Sequence, residues 1–306
     1  MIKRIIKSIK RRLSIIKARS YKVGHYTITL PPRHQLDFYQ QNFKYYDKKL
    51  PAIARLVESK YKFISIIDIG ANIGDTAAAL RDACNASIIC VEGNSEFIPL
   101  LKANLLGLPG IFRVIPKFIG PESFGNNGRV VTANGTAHIE RGIPNAPADR
   151  QQETISIATY TELLASNTDL PEVRLVKIDT DGFDFKIILG SMKQISANHP
   201  ILFVEFDPSF SPKNEKHEAL IAMNALIDAG YIHYIIFDNY GNYMFSFSEG
   251  AVDRFRDLFC FLEQSRYSGA GVIYLDVCCF AEKDTDIFFQ LVKAERTNTL
   301  VPMPVA

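Results

Sequence analysis

Ile66-Ile67-Asp68-Ile69-Gly70-Ala71-Asn72-Ile73-Gly74-Asp75 is the stretch on which the reading of the fold turns. Its apolar head, from residue 64 to 68, reads as a buried strand. The glycines mark a turn, and the alanine-rich residues 75–83 read as a helix. Strand, glycine turn and helix in that order build the corner of an α/β sheet where ligands sit, outside the carboxyl ends of the strands. Glycine permits the tight turn and lets a ligand approach the backbone closely. The spacing is G-x-x-x-G, not the G-x-G-x-x-G of dinucleotide binders. Asp68 at the strand end sits poorly beside a pyrophosphate and suits a ligand that carries a cationic amine.

Working outward, residues 87–91 form a second apolar strand that ends at Glu92, 24 residues after Asp68. An acid there can accept hydrogen bonds from both hydroxyls of a ribose. Further strands are predicted at 26–30, 111–119, 174–179, 200–206 and 272–280, with helices at 96–106, 161–166, 183–195, 215–229 and 249–264. Residues 231–238 and 243–247 flank the turn Asn239-Tyr240-Gly241-Asn242 and read as a hairpin. The stretch to about residue 152, rich in Gly, Asn and Pro, reads as loop; it holds Asn134-Gly135-Thr136-Ala137 and His138, placed to flank the ligand and to reach a substrate. Residues 34–59 are an aromatic-rich helical lead-in. The alternation of strands and helices predicts an α/β fold: a mostly parallel sheet, helices on both faces, and an antiparallel edge.

Carboxylates cluster at the strand ends. Residues 177–184 read Lys-Ile-Asp-Thr-Asp-Gly-Phe-Asp, and residues 200–205 read Pro-Ile-Leu-Phe-Val-Glu. Asp179, or Asp181 beside it, is a candidate general base, and Lys177 a group that orients or neutralises it; the alternative is a structural ion pair between Lys177 and Asp179. Asp179, Asp181 and Glu205 form no defined coordination set, so no metal is assigned. Asp207-Pro208-Ser209-Phe210 reads as a strand-ending turn.

DIGANIGD at 68–75, KIDTDGFD at 177–184 and PILFVE at 200–205 stand in the order and approximate spacing of the FkbM-type methyltransferases. The chain resembles that family over about residues 60–210 and more loosely to 283. The resemblance implies a Rossmann-like class I methyltransferase fold with a seven-stranded sheet. It implies S-adenosylmethionine as cofactor and methylation of a hydroxyl on a sugar, glycan or related metabolite. By the same resemblance Asp68, Gly70, Asn72 and Gly74 line the methionine end of the cofactor, and Glu92 the ribose. Lys177, Asp179, Asp181 and Gly182 match a second signature, K-x-D-x-E-G-x-E, in which this chain has Asp181 and Asp184 in place of Glu. The shorter side chains keep the charge but draw it back by one methylene. Glu205 and His138 are assigned to the acceptor side.

The 306 residues divide by this reading into a basic amphipathic helix at 1–20, an extension at 21–60, the methyltransferase domain at 61–283 and a tail at 284–306. Residues 1–20 carry eight basic side chains and no acid, leaving 27 basic against 33 acidic residues in the rest. Ile2, Ile5, Ile6, Ile9, Leu13 and Ile16 fall on one stripe, with Lys3, Arg4, Lys7, Lys10 and Arg11 opposite. Such a helix suits an anionic membrane surface, or packing on protein with its charged face solvated. The expectation is a cytoplasmic enzyme, peripheral at the inner membrane face, acting on a small-molecule or glycan acceptor. Nucleic acid is not expected as a partner, because the body of the chain is acidic and the basic stretch lacks aromatic residues. The five cysteines lack metal-ligand spacing and read as reduced thiols. Two rival readings remain: a dinucleotide-binding oxidoreductase, and a non-catalytic membrane-associated protein that retains the fold.

Overall fold

The computed structural model describes residues 17–121, 128–133, 136–141, 157–180, 182–209, 217–269 and 271–299. The expectations for residues 1–16, Asn134, Gly135, Asp181 and Phe210 lie outside the described residues.

In chain order the strands are β1 (Arg19–Val23), β2 (Tyr26–Leu30), β3 (Ser65–Ile69), β4 (Ser87–Val91), β5 (Phe112–Ile115), β6 (Phe118–Ile119), β7 (Gly128–Ala133), β8 (Thr136–Arg141), β9 (Ile157–Ala158), β10 (Val173–Ile178), β11 (Ile201–Phe206), β12 (Tyr231–Asp238), β13 (Tyr243–Phe247) and β14 (Leu275–Ala281). The helices are α1 (Leu36–Asn42), α2 (Lys49–Tyr61), α3 (Asp75–Ala83), α4 (Ile98–Leu106), α5 (Tyr160–Ala165), α6 (Asp184–Asn198), α7 (Glu218–Asp228), α8 (Ala251–Ser268) and α9 (Thr285–Thr299).

The main sheet runs β13-β12-β14-β11-β10-β3-β4-β5. Strands β5, β4, β3, β10 and β11 pair in parallel, while β14 inserts antiparallel between β11 and β12. This is the Rossmann-like class I methyltransferase arrangement, with the predicted antiparallel edge. The sheet has eight strands because β13, the second arm of the hairpin, pairs on the outside of β12.

Period-2 alternation splits the strands between two cores. Ile66, Ile88, Leu175, Phe203 and Cys278 face one side, covered by Ile53 and Val57 of α2, Leu80 of α3, Leu101 of α4 and Phe288 of α9. Ile67, Ile89, Val176, Leu202 and Cys279 face the other, covered by Leu163 of α5, Ile188 of α6, Met223 of α7 and Phe255 of α8. Capping sets where α5 begins: the Thr159 hydroxyl accepts from the Glu162 amide while the Glu162 carboxylate accepts from Thr159.

Several boundaries differ from the sequence expectation. Arg19 and Ser20 belong to β1 rather than to a basic helix, and the Arg19 guanidinium holds Asp37 at 2.6 Å. The predicted strand at 111–119 is two strands, since Pro116 has no amide to donate and Phe118 turns to pair with Ile157. Residues 128–133 and 136–141, read as loop, are the antiparallel pair β7 and β8. The tail at 284–306 contains α9, whose Ile287, Phe288, Leu291 and Val292 are buried at helical spacing. The β1–β2 hairpin contributes Val23, Ile28 and Leu30 to the same core as Ile66 and Leu80, so the extension packs directly on the sheet.

Candidate active site

Alternation places Asp68, Lys177, Glu205 and Asp276 on the sheet face that α2, α3 and α9 cover. Lys177 stands opposite Asp68 in the β10–β3 register, two residues before Asp179. A parallel sheet brings such paired side chains to one side, and here they form a chain of charge. Lys177 Nζ lies 3.3 Å from Asp68 Oδ1 and 3.1 Å from Asp179 Oδ2. Burial works against the Lys177 ammonium, but Asp179 and Asp68 together outweigh it and hold its pKa well above the ordinary lysine value. Asp68 is fully buried and its contact with Lys177 at 3.3 Å is one of charge: among the described residues neither carboxylate oxygen has a hydrogen-bond partner. Burial raises its pKa against the opposing pull of Lys177.

Gly70 turns the chain at the end of β3 with φ +86°, and a Cβ there would lie 1.7 Å from the Asp179 carbonyl oxygen. Only glycine allows the ends of β3 and β10 to approach so closely. The turn continues through Asn72, also at positive φ, whose backbone amide donates to Glu92 Oε2 at 2.8 Å. The Asn94 amide donates to Glu92 Oε1 at 2.7 Å. Each carboxylate oxygen of Glu92 is thus fixed by one main-chain donor, with accepting capacity left over. Burial raises the Glu92 pKa, and these two amides oppose it. Gly74 caps α3 in the left-handed region.

Gly70, Asn72, Glu92, Lys177, Asp179 and Glu205 all line one cavity of about 380 Å³, within the ordinary size of a small-ligand site. Asp68 does not line it; the structure places Asp68 beneath the wall, touching the cavity only through Lys177. Asp179 keeps 45% of its side-chain exposure whereas Lys177 keeps 9%. Asp184 is turned away. It accepts from the Thr180 amide at 2.9 Å and the Gly182 amide at 3.2 Å, tying the loop after β10 to α6. Burial and Asp179 push its pKa up to about 6. The backbone of His138 lies on β8 opposite Val131. Asp207 accepts from the Ser209 amide at 2.8 Å and from Arg266 at 3.0 Å, a turn-forming role.

Sequence reasoning missed the other half of the lining: His34, Tyr39, Tyr46 and Asp47 from the extension, Asn239 and Tyr240 from the hairpin turn, and Tyr274 before β14. Tyr39 stacks on Tyr46 with centroids 5.0 Å apart, and Phe43 on Tyr240 at 4.0 Å. For His34, Tyr39, Tyr46 and Asp47 the aromatic density of residues 34–59 is the signal that points to them.

The FkbM methyltransferase domain model matches residues 68–232, more than half of the chain. The chain belongs to the FkbM methyltransferase family. As a member of it, it is an S-adenosylmethionine-dependent methyltransferase by family and fold. The donor set fits that cofactor: an acid fixed by two amides at the end of β4, a glycine turn after β3, and a cavity of suitable size. Among solved structures, the FkbM methyltransferase from Methylobacillus flagellatus KT is 15% identical with a TM-score of 0.32, covering 54% of this chain and 37% of its own. The FkbM-family chain described here therefore spans little more than a third of that protein's length. A putative O-methyltransferase from Klebsiella pneumoniae is 8% identical with a TM-score of 0.40, over 76% and 80% of the two chains. Precorrin-6y C5,15-methyltransferase from Geobacter metallireducens GS-15 is 13% identical with a TM-score of 0.35, over 82% and 98%. No curated protein matches.

Proposed function

We propose that the chain methylates a hydroxyl group of a sugar, glycan or related metabolite. The cofactor supplies a methyl group on a cationic sulfur that departs as neutral S-adenosylhomocysteine. Glu92 would accept hydrogen bonds from the ribose hydroxyls, and the Gly70–Gly74 turn would hold the methionine end. Asp179 accepts a hydrogen bond from the acceptor hydroxyl and takes its proton as the methyl group arrives. Lys177 holds Asp179 in place and stays charged throughout, so it does not itself move the proton. Glu205, in the same wall, accepts from a second acceptor hydroxyl.

The observation that carries this reading is the contrast within one ion pair: Lys177 is buried, while its partner Asp179 opens into the cavity that Glu92 shares. A purely structural pair has no reason to leave one member so much more open to a ligand space than the other. The test is methyl transfer from labelled S-adenosylmethionine to a panel of mono- and oligosaccharides. Asp179→Asn is expected to lower kcat about 10²–10⁴-fold, the usual worth of a general base, with S-adenosylhomocysteine affinity retained. Transfer at wild-type rate by that variant would remove Asp179 from the chemistry.

No helix among the described residues is long and apolar enough to cross a membrane. A peripheral association is supported by the sequence pattern of residues 1–16 alone. Co-sedimentation with anionic vesicles, lost on deleting residues 1–16 and absent with neutral vesicles, is the expected result; equal binding by the truncated chain would rule the helix out as the anchor.

A further inference from the structure

Beside the main cavity lies a smaller one of about 80 Å³, between the α1–α2 connection and β14. The two share Tyr46, Asp47, Lys177, Asp179, Asn239 and Tyr274, so an occupant of the smaller one meets the same Asp179. The smaller cavity adds Lys49 and Asp276.

Its cations are already committed. Lys49 Nζ holds both carboxylate oxygens of Glu295, at 2.6 and 2.7 Å, and Lys177 lies between Asp68 and Asp179. Asp47 accepts from the neutral carboxamide of Gln40 at 3.2 Å. Asp276, half-buried, has no cation paired to it among the described residues. Burial and the neighbouring Asp179 and Asp47 raise the Asp276 pKa well above the usual carboxylate range, against the opposing pull of Lys177. Among the described residues no three acidic, histidine or cysteine side chains converge tightly enough to chelate a metal ion. The carboxylates are instead spread over the walls.

An independent observation concerns Asn239. It is 6% exposed, forms part of the wall of both cavities and donates from Nδ2 to the Gly271 carbonyl at 3.3 Å, but its buried Oδ1 has no partner among the described residues. The hairpin turn holds it there. Gly241 sits at φ +76° with its Cα so close to the extension that a Cβ would lie 2.3 Å from the Tyr45 carbonyl oxygen. A buried acceptor without a donor is costly, and a donor carried by a ligand removes the cost.

We infer that the smaller cavity is the acceptor subsite, and that its acceptor bears a protonated amine near the hydroxyl to be methylated, as an amino sugar does. The ammonium sits between Asp47 and Asp276, one of its N–H groups donates to Asn239 Oδ1, and the neighbouring hydroxyl meets Asp179. Tyr46 and Tyr274 supply aromatic surface of the kind that favours cations and sugar faces. Phosphorylated acceptors are repelled. The inference rests on hydroxyl methylation at Asp179 and adds no redox or covalent step to it.

The test is titration of the full chain near neutral pH with D-glucosamine, and with N-acetyl-D-glucosamine and D-glucose as neutral controls. Each is measured by calorimetry and saturation-transfer NMR, with and without saturating S-adenosylhomocysteine. Glucosamine is expected to bind at least about tenfold more tightly than either neutral sugar, a modest effect for a close charge pair. In Asp47→Asn and Asp276→Asn that preference falls away while S-adenosylhomocysteine affinity is unchanged. Equal affinity for the three sugars, no binding of glucosamine, or a preference that survives both substitutions would overturn the inference. Failure of S-adenosylhomocysteine to bind would instead strike the methyl-transfer reading, and the amine preference measured in its absence still decides this one.

Discussion

On one side of the cavity, Gly70, Asn72 and Glu92 come from the ends of two adjacent parallel strands, joined by main-chain hydrogen bonds. On the other, Tyr46, Asn239 and Tyr274 come from three separate segments of the chain. The first side is local: Gly70 and Ala71 both donate to the Val91 carbonyl at 3.0 Å, so the β3 turn and the β4 end form one unit. The second depends on long-range packing, such as the stacking of Phe43 on Tyr240. A binding surface made of backbone geometry tolerates little change, whereas one made of side chains on connecting segments can be altered without disturbing the sheet. That division suits a protein whose cofactor is shared across a family and whose acceptor is its own.

The sharpest way to break the comparison is Gly70→Val. Its side chain would meet the Asp179 carbonyl in a left-handed backbone conformation, and a loss on the order of 3–5 kcal/mol in urea unfolding is expected. S-adenosylhomocysteine binding should vanish with it. Stability and affinity both near wild type would mean that the turn is not what holds the cofactor side together.

Lys177 belongs to both halves, and Lys177→Met would leave Asp68 buried without a counter-charge. About 3 kcal/mol of destabilisation is expected, because removing one member of a buried pair strands the other. Adding Asp68→Asn should recover much of it. An additive double variant would show that the two side chains do not act as a pair.

The smallest effect belongs to Asp47, on the side built from distant segments. Its side chain is reached by solvent at the cavity mouth, yet the protein packed around it and the Asp75 carboxylate push its pKa from 3.8 up to about 7 in the folded chain. Below pH 3.8 both states are protonated and the group costs nothing. As pH rises, the unfolded chain ionises first, so stability falls; the full cost is present above about pH 7. Asp47→Asn cannot ionise, and Asn tolerates the φ of +57° at this position. The variant should melt a few degrees above wild type at pH 8, a limited gain because the carboxyl still meets water through the cavity. The two thermal curves should converge near pH 4. A constant difference across that range would assign the effect to something other than this carboxyl.

Much of the fold could be read from the chain. Apolar runs bounded by glycine and acid placed β3, β4, β10 and β11, and the turn Asn239–Asn242 placed the β12–β13 hairpin. Residues 128–133 and 136–141 read as loop because the Gly, Asn and Pro around them outweigh the strand propensity of Val130, Val131, Thr132, Thr136 and Ile139; β9 escapes notice because it is only a two-residue strand. Helix α9 was passed over although Ile287, Phe288, Leu291 and Val292 carry the helical spacing. Of the candidate site, the residues on contiguous motifs were legible. Asp68 was named for its motif, but a side chain's position above or below a cavity wall depends on neighbouring strands.

By itself the sequence determined the strand–turn–helix corner, the acid at the end of β4 and the Lys177–Asp179 spacing, because each is set within a few residues by backbone sterics and alternation. Only the tertiary structure decided that Lys177 stands opposite Asp68, since the register across β10 and β3 follows from the whole sheet. Only it brought the extension over the cavity and set Asp47, Asn239 and Asp276 around one space, because contacts between distant segments are selected by burial of shared apolar surface, which no local pattern encodes.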